Sequence, residues 1–332
     1  MGDWLNVAFF SILVAGFVVG IVVGMTGMGG GALMTPALVL LGVGDTATVI
    51  TADLTAAAVY KTGGAIVHHR EGSPNLQLAK WLILGSVPMA LLGPYLVSWF
   101  TDSDSLDRVL KMCLGFALLF AAATYAFRIY LNLRQRQQGQ SFRTVDPVVR
   151  PIPTLLVGAT GGLLVGITSV GSGSVIMIAL LMLYPALSPV KLVGTDLVQA
   201  VPLVLAAAIS NITLHGLDWS LLIPLVLGSV PGTVLGSKIA PKVKQSVIRR
   251  AIVIVLTMSG VALLDKAGWA PLGAGEDETY PLVVAGVGVA MLVLVPLVWA
   301  LIRRMEGLPM RGAPSVEELD ITAPDRPVVG EP

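Results

Sequence analysis

Long apolar runs dominate this chain, and most polar residues are concentrated between them. Each run is close to 20 residues long, and about 20 apolar residues in a helix cross a hydrocarbon core about 30 Å thick. The strands of a membrane barrel would instead alternate polar and apolar residues over about 10 positions. The pattern therefore predicts transmembrane helices in the runs 81–100, 109–127, 190–214, 219–237, 247–264 and 281–302.

Two glycine-rich stretches interrupt other apolar segments at corresponding positions. Val23–Gly31 returns as Val165–Gly173, and a Leu-Gly-Ser-Val-Pro motif occurs at both 84–88 and 227–231. The first pair is 142 positions apart and the second is 143 positions apart, so one inserted residue aligns both. The chain therefore reads as a tandem duplication. Paired breaks at corresponding positions of two halves are the best sequence indication of a transport site in a membrane protein.

Composition identifies the lipid bilayer as the main solvent of this chain. Apolar residues make up 55% of it and charged residues 12%, whereas soluble domains contain about 25% charged residues. Residues 1–5 carry Asp3 and no lysine or arginine, so they do not resemble a secretory signal, and the first apolar segment is expected to be retained. The single cysteine, Cys113, excludes an intramolecular disulfide.

The distribution of charge predicts which side of the membrane each loop occupies. Segments 128–150 and 238–250 and the residues after 302 are rich in arginine and lysine, so the positive-inside rule places them in the cytoplasm. The acidic loops 101–107 and 265–278 then lie outside. The prediction is a multi-pass protein of the bacterial plasma (inner) membrane, with its N-terminus outside and its C-terminus in the cytoplasm.

These loop positions constrain the broken segments 5–44 and 152–184. Each must enter and leave the membrane on one side, either as a re-entrant hairpin or as two short spans. The predicted fold class is therefore an all-α polytopic membrane protein with two inverted-topology repeats, each a broken helical hairpin plus three transmembrane helices, and one extra C-terminal transmembrane helix. The expected division is repeat 1 at 1–130, a basic cytoplasmic linker at 131–150, repeat 2 at 151–265, an outer loop and final helix at 266–304, and a disordered cytoplasmic tail at 305–332.

The chemistry of the breaks suits a small anion. Glycine is a poor helix former, and backbone groups that a break frees at membrane depth need partners from protein or from a hydrated cavity. Helices that resume near Ala32 and Ser174 present N–H groups and the positive end of the helix dipole, which attract anions. Two such ends facing each other near the midplane form a weakly charged site. The expected substrate-binding residues of the breaks are Thr26, Gly27, Gly29, Gly30, Gly31, Thr168, Ser169, Gly171, Ser172 and Gly173.

The glycines and the hydroxyl groups of the breaks can both be explained without a binding site. Small residues also occur where two membrane helices approach closely. Serine and threonine hydroxyls in membrane helices often bond to their own backbone. Two breaks in register within a duplication favour the functional interpretation.

Few ionisable residues lie inside the apolar segments. Asp53 and Asp196 occupy corresponding positions, 143 apart, and a charge at that depth costs about 2.5–3.5 kcal/mol on insertion scales. Either they carry protons or gate the site, or each caps a neighbouring half-helix. Lys61, whose counterpart is Val204, supplies positive charge for the anion or pairs with one of the aspartates. Gln199, one turn from Asp196, is the remaining coupling or gating candidate.

The paired Val-Gly-x-Thr-x-x-Gly breaks, the repeated Leu-Gly-Ser-Val-Pro and the two Asp-Leu positions resemble the TauE/SafE sulfite exporter family, also called the toluene-sulfonate uptake permeases. The resemblance covers roughly residues 10–265. It implies a permease for small sulfur-containing anions such as sulfite or organosulfonates, with both breaks lining the path. Ser169 and Ser172 stand where the first break has Gly27 and Gly30, so the two halves of the site are expected to differ chemically.

The expected function is a secondary transporter, an exporter with a proton as the candidate coupling ion. The alternatives are an uptake permease for another small organic anion and a passive anion channel. No phosphate loop, nucleophile elbow or metal-spaced His/Cys cluster indicates an enzyme, so no cofactor and no metal are expected. The expected partners are the anionic substrate, the lipid bilayer and the proton, without nucleic acid. The oligomeric state stays open.

Overall fold

The computed structural model describes residues 2–26, 30–70, 74–137, 148–184, 187, 189–239, 245–269 and scattered positions from 286 to 304. The regular structure of these residues is helical. The helices are α1 (Gly2–Thr26), α2 (Gly31–Leu41), α3 (Thr46–Arg70), α4 (Leu76–Phe100), α5 (Ser103–Gln137), α6 (Pro151–Thr168), α7 (Met177–Leu183), α8 (Pro189–His215), α9 (Trp219–Ile239) and α10 (Gln245–Lys266). A π-helical turn, Ser172–Ile176, leads into α7.

Six helices in the described part of the chain are long and apolar enough to cross a membrane. Large apolar side chains such as Phe120 and Leu227 are exposed on their outer faces, as expected where lipid replaces water. The prediction of an all-helical polytopic membrane protein is confirmed. Half of the linker, most of the predicted last helix at 281–302 and the whole tail lie outside the described residues. The spans are Val7–Met25, Leu76–Phe100, Ser103–Phe127, Pro151–Thr168, Lys191–His215 and Trp219–Ile239.

The broken segments form hairpins with unequal arms. The 25 residues of α1 extend about 38 Å and the 11 residues of α2 about 16 Å. In the second hairpin, α6 precedes a shorter arm that consists of the π-helical turn and α7. Tyr184, directly after α7, accepts a hydrogen bond from the Arg150 amide at 2.8 Å, and its hydroxyl lies 2.6 Å from that of Thr154. The two ends of the second hairpin therefore lie side by side.

Helix α1 packs along α9 through glycine. A Cβ atom at Gly20 would stand 2.7 Å from the carbonyl oxygen of Ser229, and one at Gly24 would overlap the carbonyl oxygen of Thr233. The residue numbers at the contacts increase in the same direction along both helices, so the two helices run parallel. Small residues let membrane helices approach closely and gain van der Waals contact, which drives their association.

Helices α4 and α6 pair in the same way. A Cβ atom at Gly158 would overlap the carbonyl oxygen of Leu82, and one at Gly162 would overlap that of Ser86. This pair is also parallel. The duplication predicted from the sequence makes α6 the counterpart of α1 and α4 the counterpart of α9. On that correspondence, the first helix of each half packs on the fourth helix of the other half.

Two further pairs join corresponding helices of the halves, namely α3 with α8 and α5 with α10. The guanidinium of Arg108, near the start of α5, donates to the carbonyl oxygen of Ala267, just beyond the end of α10, at 3.0 Å. Farther along α5, Gly115 lies against Gly260 of α10. Helices α5 and α10 therefore run antiparallel. The pair α3 and α8 carries the buried charged residues.

Candidate functional site

The two glycine breaks contact each other. Gly31, the first residue of α2, packs so closely on Ser169 that a Cβ atom would overlap the serine carbonyl oxygen. The Gly30 amide donates to the Tyr60 hydroxyl of α3 at 2.9 Å, and a Cβ atom at position 30 would overlap that hydroxyl. Gly30 has an ordinary helical φ of −57°. Close approach, rather than an unusual φ, therefore requires glycine at these two positions.

The second break depends on unusual backbone conformations. Ser169 has φ 60°, in the left-handed region, and its amide donates to the Val165 carbonyl at 2.8 Å. Gly171 has φ 137°, which side-chain-bearing residues rarely adopt. The amides of Val175 and Ile176 then share the Gly171 carbonyl at 3.0 and 3.3 Å, which opens the π-helical turn. The chain reverses here because serine and glycine leave the helical region.

Polar side chains satisfy backbone groups that the breaks free. The Val170 amide donates to the Thr168 hydroxyl at 3.2 Å, so helix α6 does not continue. Asn211 of α8 donates to the Gly166 carbonyl at 3.0 Å, which replaces the bond that a continuing helix would make. Tyr60 plays the equivalent role for the Gly30 amide. Irregular backbone at membrane depth is tolerated where protein supplies such partners.

Asp53 lies where the two breaks meet. Its Oδ2 atom accepts a hydrogen bond from Thr35 Oγ1 of α2 at 2.5 Å and another from Ser169 Oγ at 2.8 Å. Its Oδ1 atom is buried and has no hydrogen-bond partner among the described residues. The partners that the described residues provide are hydroxyls rather than the backbone amides of the capping alternative. One carboxylate oxygen thus connects both hairpins to the central helix α3.

A charge cluster extends from Asp53 along α3. Lys61 is buried, and both Asp196 of α8 and Asp53 act on it electrostatically. The Gln199 amide donates to Asp196 Oδ1 at 3.0 Å, and the Gln199 Oε1 atom has no hydrogen-bond partner within the described ranges. One buried cation therefore faces two buried carboxylates. Charges at this depth normally mark an ion or substrate pathway.

The predicted site residues do not all lie in one place in the structure. The meeting point of the breaks contains Gly30, Gly31, Asp53 and Ser169. The charge cluster contains Lys61, Asp196 and Gln199. The second break also buries Thr168, Gly171 and Gly173, and the Thr168 hydroxyl is bonded to its own backbone. Outside the described residues lie Gly27, Gly29 and the side chains of Thr26 and Ser172.

Three residues of this region do not follow from the sequence patterns. Thr35 bonds to Asp53, while Tyr60 and Asn211 bond to the freed backbone. Only Asn211 carried a usable signal, since it is an amide side chain within the apolar run 190–214. Polar residues inside membrane segments are costly and commonly have a role.

The comparison with known families identifies the chain. A family model described as "Sulfite exporter TauE/SafE" matches residues 12–263. The chain belongs to the TauE/SafE family. Of its relatives in Bacillus subtilis (strain 168), "Probable membrane transporter protein YjnA" is 33% identical over 255 residues, which is 76% of this chain and 99% of the relative. "Probable membrane transporter protein YdhB" is 28% identical over 253 residues, with the same coverage of both chains. No solved structure matches the chain.

Membership confirms the resemblance that the paired motifs indicated. TauE/SafE proteins are membrane transporters and not enzymes, so this chain is a multi-pass membrane transporter. The matched region contains both breaks and the charge cluster. The candidate site therefore lies within the part of the chain that the family shares.

Proposed function

We propose that this TauE/SafE protein is a secondary transporter that exports small sulfur-containing anions, such as sulfite or organosulfonates, across the bacterial plasma membrane with proton coupling. One observation carries the proposal. The breaks of both halves contact each other at Gly31 and Ser169, beside the buried charges of Asp53, Lys61 and Asp196. The export direction follows the description of the matched family.

The substrate anion binds next to Lys61, within reach of the breaks. Lys61 supplies the positive charge, and helix α2 adds the positive end of its dipole at Gly31. Hydroxyl and amide groups of the breaks complete the oxyanion contacts. A site with one lysine holds an anion weakly enough to release it, which transport requires.

The net charge of the cluster explains why transport of the anion would be coupled to a proton. With Asp53 and Asp196 ionised, the cluster with Lys61 carries a net charge of −1, which opposes the entry of an anion. Protonation of one carboxylate makes the cluster neutral, so the anion and the proton bind together more favourably than either binds alone, and the outward gradient of the anion drives their joint export. We therefore expect low pH on the side from which the anion enters the site to increase the transport rate, since it protonates the carboxylate that must be neutralised.

The transporter alternates access through two inverted repeats. The antiparallel packing of α5 on α10 supports this arrangement, because these helices correspond in the duplication. The other two close pairs support it too, because α1 of the first half packs on α9 of the second half, and α6 of the second half packs on α4 of the first. With the basic loops in the cytoplasm and the N-terminus outside, the site opens to each side in turn as one hairpin moves relative to the other.

Proteoliposomes test this function. Vesicles that contain purified protein and are filled with unlabelled sulfite should concentrate labelled sulfite by counterflow. Low pH outside the vesicles should speed this uptake. Asp53→Asn combined with Asp196→Asn should abolish this pH dependence. Because Lys61 then loses both carboxylate partners, the unfolding temperature of the variant is measured in parallel to show that the protein is folded. Lys80→Gln, an exposed position on α4, is the control and should behave as wild type.

The outcomes separate the alternatives. Saturable counterflow supports a carrier, while flux that rises linearly with concentration and shows no counterflow identifies a channel. A double aspartate variant with an unchanged pH dependence would remove the proton from the mechanism. Counterflow of a carboxylate but not of sulfite would make the protein a permease for another organic anion.

A further inference from the structure

The contact between Thr35, Asp53 and Ser169 connects parts of the chain that transport must separate. Thr35 belongs to the first hairpin, Ser169 to the second, and both hydroxyls donate to the same oxygen of Asp53, at 2.5 and 2.8 Å. All three residues are buried. We call these three residues the inter-hairpin tie.

The tie must open before the hairpins can move apart. Gly31, one turn before Thr35, packs directly on Ser169, so a change in the distance between the hairpins changes the distance from both hydroxyls to Asp53. Hydrogen bonds to an ionised carboxylate are about twice as strong as neutral ones. The tie therefore stabilises the arrangement of hairpins described here.

The duplication does not repeat the tie. Asp53 has a counterpart in Asp196, but the position equivalent to Thr35 is Met177 and the position equivalent to Ser169 is Gly27. Neither counterpart carries a hydroxyl. Instead, Asp196 accepts from the Gln199 amide and interacts with Lys61. The same three-residue contact cannot form in the other half.

The backbone at Ser169 indicates that its hydroxyl has a role. Its φ of 60° disfavours a residue with a side chain, and the other half has glycine at this position. Strained conformations of this kind persist where the surroundings enforce them, and they cluster at functional sites. Serine is less favourable than glycine for the local backbone and provides the bond to Asp53.

We propose that the inter-hairpin tie is a one-sided latch, which stabilises one of the two access states of the transporter and has no equivalent in the other. The inference rests on the proposed function in one respect. In a transporter built from inverted repeats, the second access state arises when the two halves exchange their arrangements. A contact present in only one half then favours only one state, which sets a standing preference between the two directions of opening.

Hydrogen exchange tests the latch without any substrate. Thr35→Val combined with Ser169→Gly removes both hydroxyls, and glycine also relieves the strained φ, so the variant should fold. Amides in the segments 30–38 and 164–171 should exchange at least tenfold faster than in wild type, because the tied state is less populated. Helices α5 and α10 should keep their protection.

Three variants serve as controls. Thr51→Val removes a buried hydroxyl that bonds its own helix at Ala47, and Ser229→Ala removes a buried hydroxyl that has no partner among the described residues. Neither should change exchange in the two segments. Thr35→Ser keeps the hydroxyl and should restore most of the wild-type protection when Ser169 is intact.

Two exchange results would overturn the latch. Unchanged protection of both segments would show that the tie does not stabilise this state. Faster exchange in every helix to the same extent would show that the three residues stabilise the fold as a whole and have no specific effect on the hairpins.

Transport provides the second readout, with sulfite as the probe. A state that is less populated binds its substrate with a lower apparent affinity, so wild type should show different half-saturating sulfite concentrations on its two sides. Removal of the tie should reduce that difference several-fold. Met177→Thr with Gly27→Ser places hydroxyls at the equivalent positions of the other half and should reduce the difference too, because it is designed to stabilise the opposite access state. An unchanged ratio in both variants would contradict the latch. If wild type transports no sulfite, the proposed function fails, while the exchange experiment still decides the latch.

Discussion

A buried lysine beside two buried carboxylates makes each of these residues sensitive to the loss of the others. Removing one partner of a buried ion pair typically costs about 3–5 kcal/mol, because it leaves an uncompensated charge. A single substitution at Lys61 would therefore combine damage to the fold with loss of the anion site. The two effects can be separated only in a variant that keeps the charge balanced.

The charge-balanced variant Lys61→Gln with Asp196→Asn should fold but bind sulfite at least tenfold more weakly, since the only cation of the described cluster is gone. A tenfold loss corresponds to about 1.4 kcal/mol. The measurement is the rise in unfolding temperature with sulfite, which falls when binding weakens. The same rise in this variant and in Lys80→Gln would place the anion elsewhere.

Single residues could be predicted from the sequence only where they broke a pattern. Asp53 and Lys61 are charges within apolar segments, and Asp53 is also duplicated, so both were identified. Thr35 and Tyr60 were not, since a threonine or tyrosine is ordinary in a membrane helix. Their roles arise from contacts with residues 18 and 30 positions away, which no local pattern encodes.

Among the helices, glycine determines how closely α1 approaches α9 and α4 approaches α6. Helix association in lipid gains little from the hydrophobic effect, because the tails are as apolar as the side chains. Van der Waals contact between backbones replaces it, and a single methyl group at a crossing point prevents that contact. The crossing points should therefore tolerate substitution poorly, although they carry no chemistry.

We expect Gly162→Ala to destabilise the protein by about 1–3 kcal/mol, the usual cost of overpacking, because its Cβ atom would overlap the Ser86 backbone. Gly44→Ala is the matched control, since the nearest atom to its Cβ is Val49 Cγ2 at 3.8 Å. Thermal unfolding in detergent measures both. Equal unfolding temperatures for the two variants would show that close approach at this crossing is not stabilising.

The apolar runs predicted where most of the described helices lie, although α5 extends from Ser103 to Gln137, beyond the run 109–127 on both sides. They did not predict the shape of the hairpins. Apolar length predicts how much chain lies in the membrane but not how a break divides it. The long α1 and short α2 are determined by contacts on both sides of the break, such as Gly31 on Ser169 and Gly30 on Tyr60. These contacts join segments that are distant in sequence.

For the whole molecule, the duplication inferred from the sequence predicts opposite orientations for corresponding residues. Gln77 at the start of α4 and Ser220 at the start of α9 are both exposed and 143 positions apart. In a Cys113→Ser background, Ser220→Cys should react with an impermeant maleimide in intact cells. Gln77→Cys should react only after the membrane is opened, because the proposed inverted arrangement puts it in the cytoplasm. Labelling of both from the same side would refute the inverted arrangement.

The pairing of α1 with α9 has a consequence for biosynthesis. When the ribosome has finished α1, the helix that covers its glycine surface lies roughly 200 residues ahead, and α4 and α6 must find each other in the meantime. The first helix therefore waits in the bilayer without its main partner until α9 has been made. Neither half would mature alone, whereas the two halves synthesised as separate polypeptides in one cell should assemble.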